Sequence, residues 1–240
     1  MEKSSQLSSK ISNHTEVSIM SVGPEFDLNK TIWAINWFDL KYGWLYDFYN
    51  KLALPHVKKV GGIPLLKASL IEKLEGSPED KRQMLLIVSY PNAPGFIEML
   101  QSKVFQLKSI LRISAVDKFT FGFMQRFDKA DKTNDVHYKG HLKYLVHHYK
   151  GEITKEQQSK LPSLAREYDV FTKFIGIKSA LIGTKKGNDK LRTAPFMMDG
   201  MMVFAAFERR QFDQLLQDPR YRKVVEGTKS NFLGIYKKVF

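Results

Sequence analysis

An internal repeat governs how this chain of 240 residues can fold. Residues 84–112, MLLIVSYPNAPGFIEMLQSKVFQLKSILR, run from an apolar segment through a Pro-Asn-Ala-Pro-Gly turn into an amphipathic helical pattern. Residues 200–222, GMMVFAAFERRQFDQLLQDPRYR, repeat the design. In register, Leu85, Ile87 and Phe96 fall on Met201, Val203 and Phe212, Leu100-Gln101 on Leu216-Gln217, and Phe105 on Tyr221. Length alone allows one large core or two small ones, and the duplication selects two similar units.

The pattern predicts the elements of the first copy in turn. Thr31–Phe38 is a strand, rich in β-branched and aromatic residues and apolar on both faces. Tyr42–Val60 is a helix in which Trp44, Phe48, Leu52 and His56 recur every fourth residue, a stripe expected to face the sheet. Pro55 is expected to kink or restart it, since proline lacks the amide that bonds one turn back. After Gly61-Gly62 come a strand over Ile63–Leu74, a polar loop over Glu75–Arg82 and a strand over Met84–Tyr90. Pro94–Ile110 is a helix with Phe96, Leu100 and Leu107 inward, and Lys118–Phe127 a strand with Phe119, Phe121, Phe123 and Phe127 on one face.

The order βαββαβ is that of a ferredoxin-like unit. The second copy repeats it over His141–Tyr149, Lys155–Lys173, Ile175–Gly183, Asp199–Phe207, Arg210–Glu226 and Asn231–Val239, with Asp218-Pro219 breaking its last helix. The domain organisation expected is a flexible leader or arm over residues 1–30, a first repeat over 31–127, a polar linker over 128–140 and a second repeat over 141–240. Strands apolar on both parities need cover on both faces. The fold class is therefore α+β: two ferredoxin-like repeats whose antiparallel sheets pack into one pseudo-dimeric α+β barrel, in a monomer with internal pseudo-twofold symmetry or in a homodimer.

Composition removes several kinds of chemistry. There is no cysteine, which excludes disulfides, thiolate catalysis and Cys-ligated metal sites. No Gly-rich phosphate loop, nucleophile elbow or HExxH stretch occurs. The formal charge of +13 raises nucleic acid, anionic membranes and acidic partners. The basic residues are spread along the chain, densest at Lys185–Arg192 and Arg209–Lys223, with no arginine-rich block, Cys/His finger or RNP-type strand, so nucleic acid is not the expected partner. No window approaches the roughly 18 apolar residues of a span and the first 20 lack a signal-peptide core, so a cytoplasmic protein with no membrane partner is expected.

The chain resembles a tandem member of the dimeric α+β barrel superfamily. It is most similar to an uncharacterised bacterial family in which a strand ending in YP or FPS, an amphipathic helix and a SPEYQ turn precede an arginine. Those signatures are Ser89-Tyr90-Pro91, Ser102-Lys103-Val104-Phe105-Gln106 and Arg112 in the first half, and Asp218-Pro219-Arg220-Tyr221-Arg222 in the second. The second half has Ala206-Phe207-Glu208 in place of Tyr90-Pro91 and no clear equivalent of Arg112. The wider superfamily includes cofactor-independent monooxygenases, haem-degrading enzymes, isomerases, polyketide cyclases, haem peroxidases and stress-response proteins. The resemblance implies a site between a sheet and its helices or at the barrel mouth, while fold does not choose among these activities.

Candidate site residues follow. His56 is a general base, a haem ligand or a buried histidine satisfied by a carbonyl. Tyr90 and Arg112 suit an anionic or carbonyl oxygen, Arg112 also serving as a partner for a helix dipole. Asn36 and Trp37, with Trp44 and Phe48, would line a cavity, and by type the first two resemble the Asn and Trp of haem-degrading members. His147 and His148 are further ligand-binding candidates: adjacent on a strand, they must point to opposite faces, so one faces a cavity, and a metal site there would need an acidic ligand from elsewhere. The functions left open are three: a cofactor-independent oxygenase, isomerase or cyclase acting on an aromatic or polyketide-like molecule; a non-catalytic binder of an apolar ligand, haem included; and an interaction protein with a basic surface. No metal is expected.

Overall fold

The computed structural model describes residues 17–21, 27–77, 82–126, 141–184 and 198–239. The linker expected over 128–140, the basic cluster at 185–192, Phe127 and most of the leader lie outside these. The first half runs β2 (Ile32–Leu40), α1 (Gly43–Lys59), β3 (Ile63–Gly76), β4 (Met84–Tyr90), α2 (Ala93–Gln101), α3 (Lys103–Ala115) and β5 (Val116–Arg126). The second runs β6 (Lys143–Lys150), α4 (Lys155–Arg166), β7 (Phe171–Thr184), β8 (Gly200–Ala206), α5 (Arg209–Gln217), α6 (Pro219–Val225) and β9 (Lys229–Lys238). Within the expected leader, β1 (Val17–Ser21) pairs antiparallel with β7, Val17 opposite Thr184.

The chain is α+β, and its halves share one strand order. Hydrogen-bonded neighbours run β5-β2-β4-β3 in the first and β9-β6-β8-β7 in the second. In both, the fourth strand of the βαββαβ series lies beside the first, then the third, then the second. That is the ferredoxin-like order the repeat predicted. The pairings of β6 with β8 and β9, of β7 with β8 and of β3 with β9 are antiparallel.

The described residues form two compact units. The first holds those within Met1–Leu65, Ile87–Phe123 and Ser179–Phe196, and the second those within Leu66–Leu86, Met124–Lys178 and Met197–Phe240. In the first, α1 buries Tyr46, Tyr49 and Ala53. Their spacing of three and four residues is as helical as the stripe from Trp44 to His56, and the tyrosines win the interior. Tyr46 packs on Phe38 of β2 with ring centroids 4.8 Å apart. Trp44 is 72% and Phe48 49% exposed, which corrects the expected orientation of the helix. The helix also continues through Pro55 without restarting.

The expected single helix over Pro94–Ile110 is two helices. Ser102 takes an extended conformation, φ −60° and ψ 122°, between α2 and α3. This resets the helical phase, so Phe105 turns inward while Leu107, expected inside, is 67% exposed. Asp218 makes the same break between α5 and α6, φ −61° and ψ 126°. At both breaks the amide donates to carbonyls four and three residues back, Glu98 and Met99 or Gln214 and Leu215. Asp218 also caps α6 by accepting from the Arg220 amide at 2.6 Å.

In the second unit, α4 starts at a capping box in which Thr154 and Gln157 exchange hydrogen bonds. Leu161, Leu164 and Ala165 of α4, Phe212 and Leu215 of α5 and Tyr221 and Val224 of α6 bury one side of the sheet with Leu145, Tyr149, Met202, Phe204 and Leu233. β6 and β8 are buried on both parities, as their sequences predicted.

Candidate functional site

Two predicted residues, Tyr90 and Arg112, fall in the first unit within electrostatic reach of each other, with residues the sequence pattern did not single out. Tyr90 ends β4 and packs edge-on against Phe96 at 4.8 Å. Its ring lies so close to Gly62 that a Cβ there would fall 2.7 Å from Tyr90 Cε1, so glycine at this position makes room for the phenol. Tyr46 and Tyr49 of α1 have ring centroids 6.0 Å apart. Arg112 of α3 stacks its guanidinium over Phe119 at 4.9 Å. Its Nε is buried without a hydrogen-bond partner, and the side chain makes no ion pair among the described residues.

Charge ties these groups together. Burial raises the Tyr46 and Tyr90 phenols well above their ordinary range, the nearby Tyr49 adds to this, and the positive charge of Arg112 opposes it in both. Both phenols are therefore neutral donors near pH 7. Phe38, Phe96 and Phe119 supply apolar wall, and Phe119, Phe121 and Phe123 form the aromatic ladder that β5 predicted. Asn36 is half-buried on the parity of Phe38, whereas Trp37 is buried on the opposite face of β2.

His56 is held elsewhere. Lys108 Nζ lies 2.7 Å from His56 Nε2 and donates to the Leu52 carbonyl at 3.0 Å, while the His56 ring meets the edge of Phe105 at 6.0 Å. An ammonium can only donate, so Nε2 is the acceptor and its lone pair is engaged. The expected route of His56 toward the sheet is corrected to a place between α1 and α3. Tyr46 and Tyr49 have a helical spacing no stronger than that of Trp44, Phe48 and Leu52, and Lys108 carried no signal, because its role depends on α3 beginning after the break at Ser102.

The two predicted histidines of the second unit are enclosed in its core. His147 Nδ1 lies 2.8 Å from the Tyr221 hydroxyl, and its Nε2 is buried without a hydrogen-bond partner. Burial lowers its pKa to about 4. His148 points to the other face, as strand parity requires, with Nδ1 2.6 Å from Met198 Sδ and its ring 5.9 Å from Phe232. Burial, with His147 adding to it, lowers the His148 pKa to about 3. Leu145, Met202, Phe204, Phe212 and Leu215 of the core in this unit are all at 0% exposure. At 5% and 0% exposure, neither His147 nor His148 presents a face on which a porphyrin could sit. Among the described residues no group of three or more His, Asp or Glu side chains stands ready for a metal ion.

No protein-family model and no curated protein matches the chain. Solved structures similar to it include a mutant chlorite dismutase from Candidatus Nitrospira defluvii, at 10% identity and a TM-score of 0.46 over 88% of this chain and 91% of that one. A haem-binding protein from Thermus thermophilus is similar at 9% identity and a TM-score of 0.46 over 94% of both chains. The protein RPA0582 of unknown function from Rhodopseudomonas palustris shares 19% identity with a TM-score of 0.39 over 42% of this chain and 85% of its own. The fold assignment rests on the chain's own strand order, which is the one that the dimeric α+β barrel resemblance implies.

Proposed function

We propose that the protein binds an aromatic or polyketide-like small molecule carrying an anionic or enolisable oxygen, in the first unit, between the sheet and α1 and α3. The observation that carries this is Arg112, a cation with a buried, unpartnered Nε among three tyrosines and a phenylalanine wall. A buried donor without a partner is costly, and a ligand oxygen would satisfy it. Tyr90 and Tyr46 then act as neutral donors to the same oxygen, Asn36 lines the pocket, and the phenylalanines stack on the ring.

Such a site stabilises an enolate or phenolate, the charge that develops in cofactor-independent oxygenation, isomerisation and cyclisation. His56 is not assigned as the base, because Lys108 engages its lone pair; a substrate phenol or enol would lose its proton to solvent water, and Arg112 would hold the resulting anion. The reading includes the organisation expected from the sequence: repeats over 31–127 and 141–240 forming a pseudo-dimeric barrel in a cytoplasmic protein, with one functional pocket because the second half lacks Arg112. The test is calorimetric titration with a panel of aromatic carboxylates and hydroxynaphthoquinones, together with mass spectrometry of the purified protein. Binding that falls about tenfold in Arg112→Lys, which keeps charge but loses the planar fork, supports the site. Ligands bound equally by wild type and Arg112→Lys would refute it.

A further inference from the structure

The outward faces of α1 and α3 carry large apolar side chains that no described residue of the first unit covers. Trp44 is 72%, Leu107 67%, Ile110 57%, Val104 53% and Phe48 49% exposed. The two helices pack antiparallel, since the Tyr42 amide bonds the Ala115 carbonyl at 3.0 Å and Lys108 bonds the Leu52 carbonyl at 3.0 Å. The same helices bury Tyr46, Tyr49, Ala53, Phe105 and Ala115. The sequence therefore places large apolar groups on both sides of each helix, and the outer set has no role in the core.

The charge around the patch selects the partner. Exposed Lys51, Lys58 and Lys59 on α1 and Lys103 on α3 surround it, against one exposed acid, Asp47, on α1 and none on α3. We infer that this face docks peripherally on an anionic lipid surface, with Trp44, Phe48 and Leu107 entering the headgroup boundary and the lysines meeting lipid phosphates and carboxylates. A second copy of the chain would bring like-charged rims together in a twofold contact, which disfavours self-association through this face. An exposed tryptophan beside aliphatic residues and flanking lysines is the composition of a helix that lies in a bilayer interface. No helix among the described residues is long and apolar enough to cross a membrane, so the contact is on the surface. Docking does not depend on the pocket proposed above.

The test is cosedimentation of the full chain with phosphatidylcholine vesicles, with and without phosphatidylserine, combined with tryptophan emission. Trp37 is buried and Trp33 half-buried, so a blue shift on adding vesicles reports mainly on Trp44. Partition is expected to favour phosphatidylserine vesicles by about tenfold or more and to weaken as salt rises. Trp44→Ser with Leu107→Ser, and separately Lys51→Glu with Lys103→Glu, should each lower it about tenfold with unchanged circular dichroism. These sites are solvent-facing, and the charge pair serves as the control should the apolar pair fail to fold. Equal partition of wild type and the charge variant overturns the inference. So does no partition at all, or a concentration-dependent dimer that shields Trp44 from acrylamide, which would identify a second copy as the occupant.

Discussion

Mild acid should destabilise the second unit through His147 and His148. Both are neutral in the fold, with pKa values of about 4 and about 3, and titrate near 6.5 once unfolded. Between pH 6.5 and about 4 the unfolded chain binds more protons, so stability is full above 6.5 and falls as pH drops. For His147 alone the loss by pH 5 is about 2 kcal/mol, from the ratio of unfolded to folded protonation. His148 contributes a similar loss, so the pair removes about 4 kcal/mol, a large share of a typical 5–15 kcal/mol. The assay is urea denaturation followed by far-ultraviolet circular dichroism at half-unit steps from pH 7.5 to 5. His147→Phe should reduce the pH slope by about half, while at pH 7 it exchanges the Tyr221 hydrogen bond for an apolar contact at a cost of about 1 kcal/mol. A slope unchanged in both His147→Phe and the corresponding His148 variant would show that some other group takes up the protons.

Two further outcomes are expected. Gly200→Ala should cost about 1–3 kcal/mol in thermal or urea melts, since an added Cβ would overlap the Tyr149 ring and hydroxyl on the neighbouring strand. Thr154→Ala should cost about 1 kcal/mol by removing the acceptor for the Gln157 amide from the α4 capping box, measured by the same denaturation midpoint.

The strand order was legible because a repeat doubles every signal: a weak pattern at Met84–Tyr90 gains force when it recurs at Gly200–Ala206. Helix breaks were legible only where a proline announced them. Asp218-Pro219 places a capping acid before a residue suited to the first helical turn, whereas Ser102-Lys103 makes the same backbone turn with residues ordinary in a helix. The orientation of α1 was not legible, since Trp44-Phe48-Leu52 and Tyr46-Tyr49-Ala53 both have helical spacing and only the neighbouring Phe38 decides between them. In the candidate site, Tyr90 and Arg112 stood out by type and by their absence from the second half. The partnerships of His56 with Lys108 and of His147 with Tyr221 join residues far apart in sequence, and no local pattern encodes them.

The strand β3 has β4 on one side and β9 on the other, and its last residues pair with the end of the described chain, from Ala68 opposite Lys238 to Gly76 opposite Phe232. During synthesis the residues from Ala68 to Gly76 leave the ribosome long before their β9 partners are made. Until Lys229–Lys238 emerges, that edge is unpaired and exposes Ile71, a template for pairing with other nascent chains. The register shifts at Leu70/Glu72 and Lys73/Glu75, with Glu72, Lys73 and Glu75 in the same stretch, roughen the waiting edge. Glu72 and Lys73, which in the finished fold engage Arg209 and the Gly76 carbonyl, thus have an earlier use as charges on a strand that has to wait for its partner.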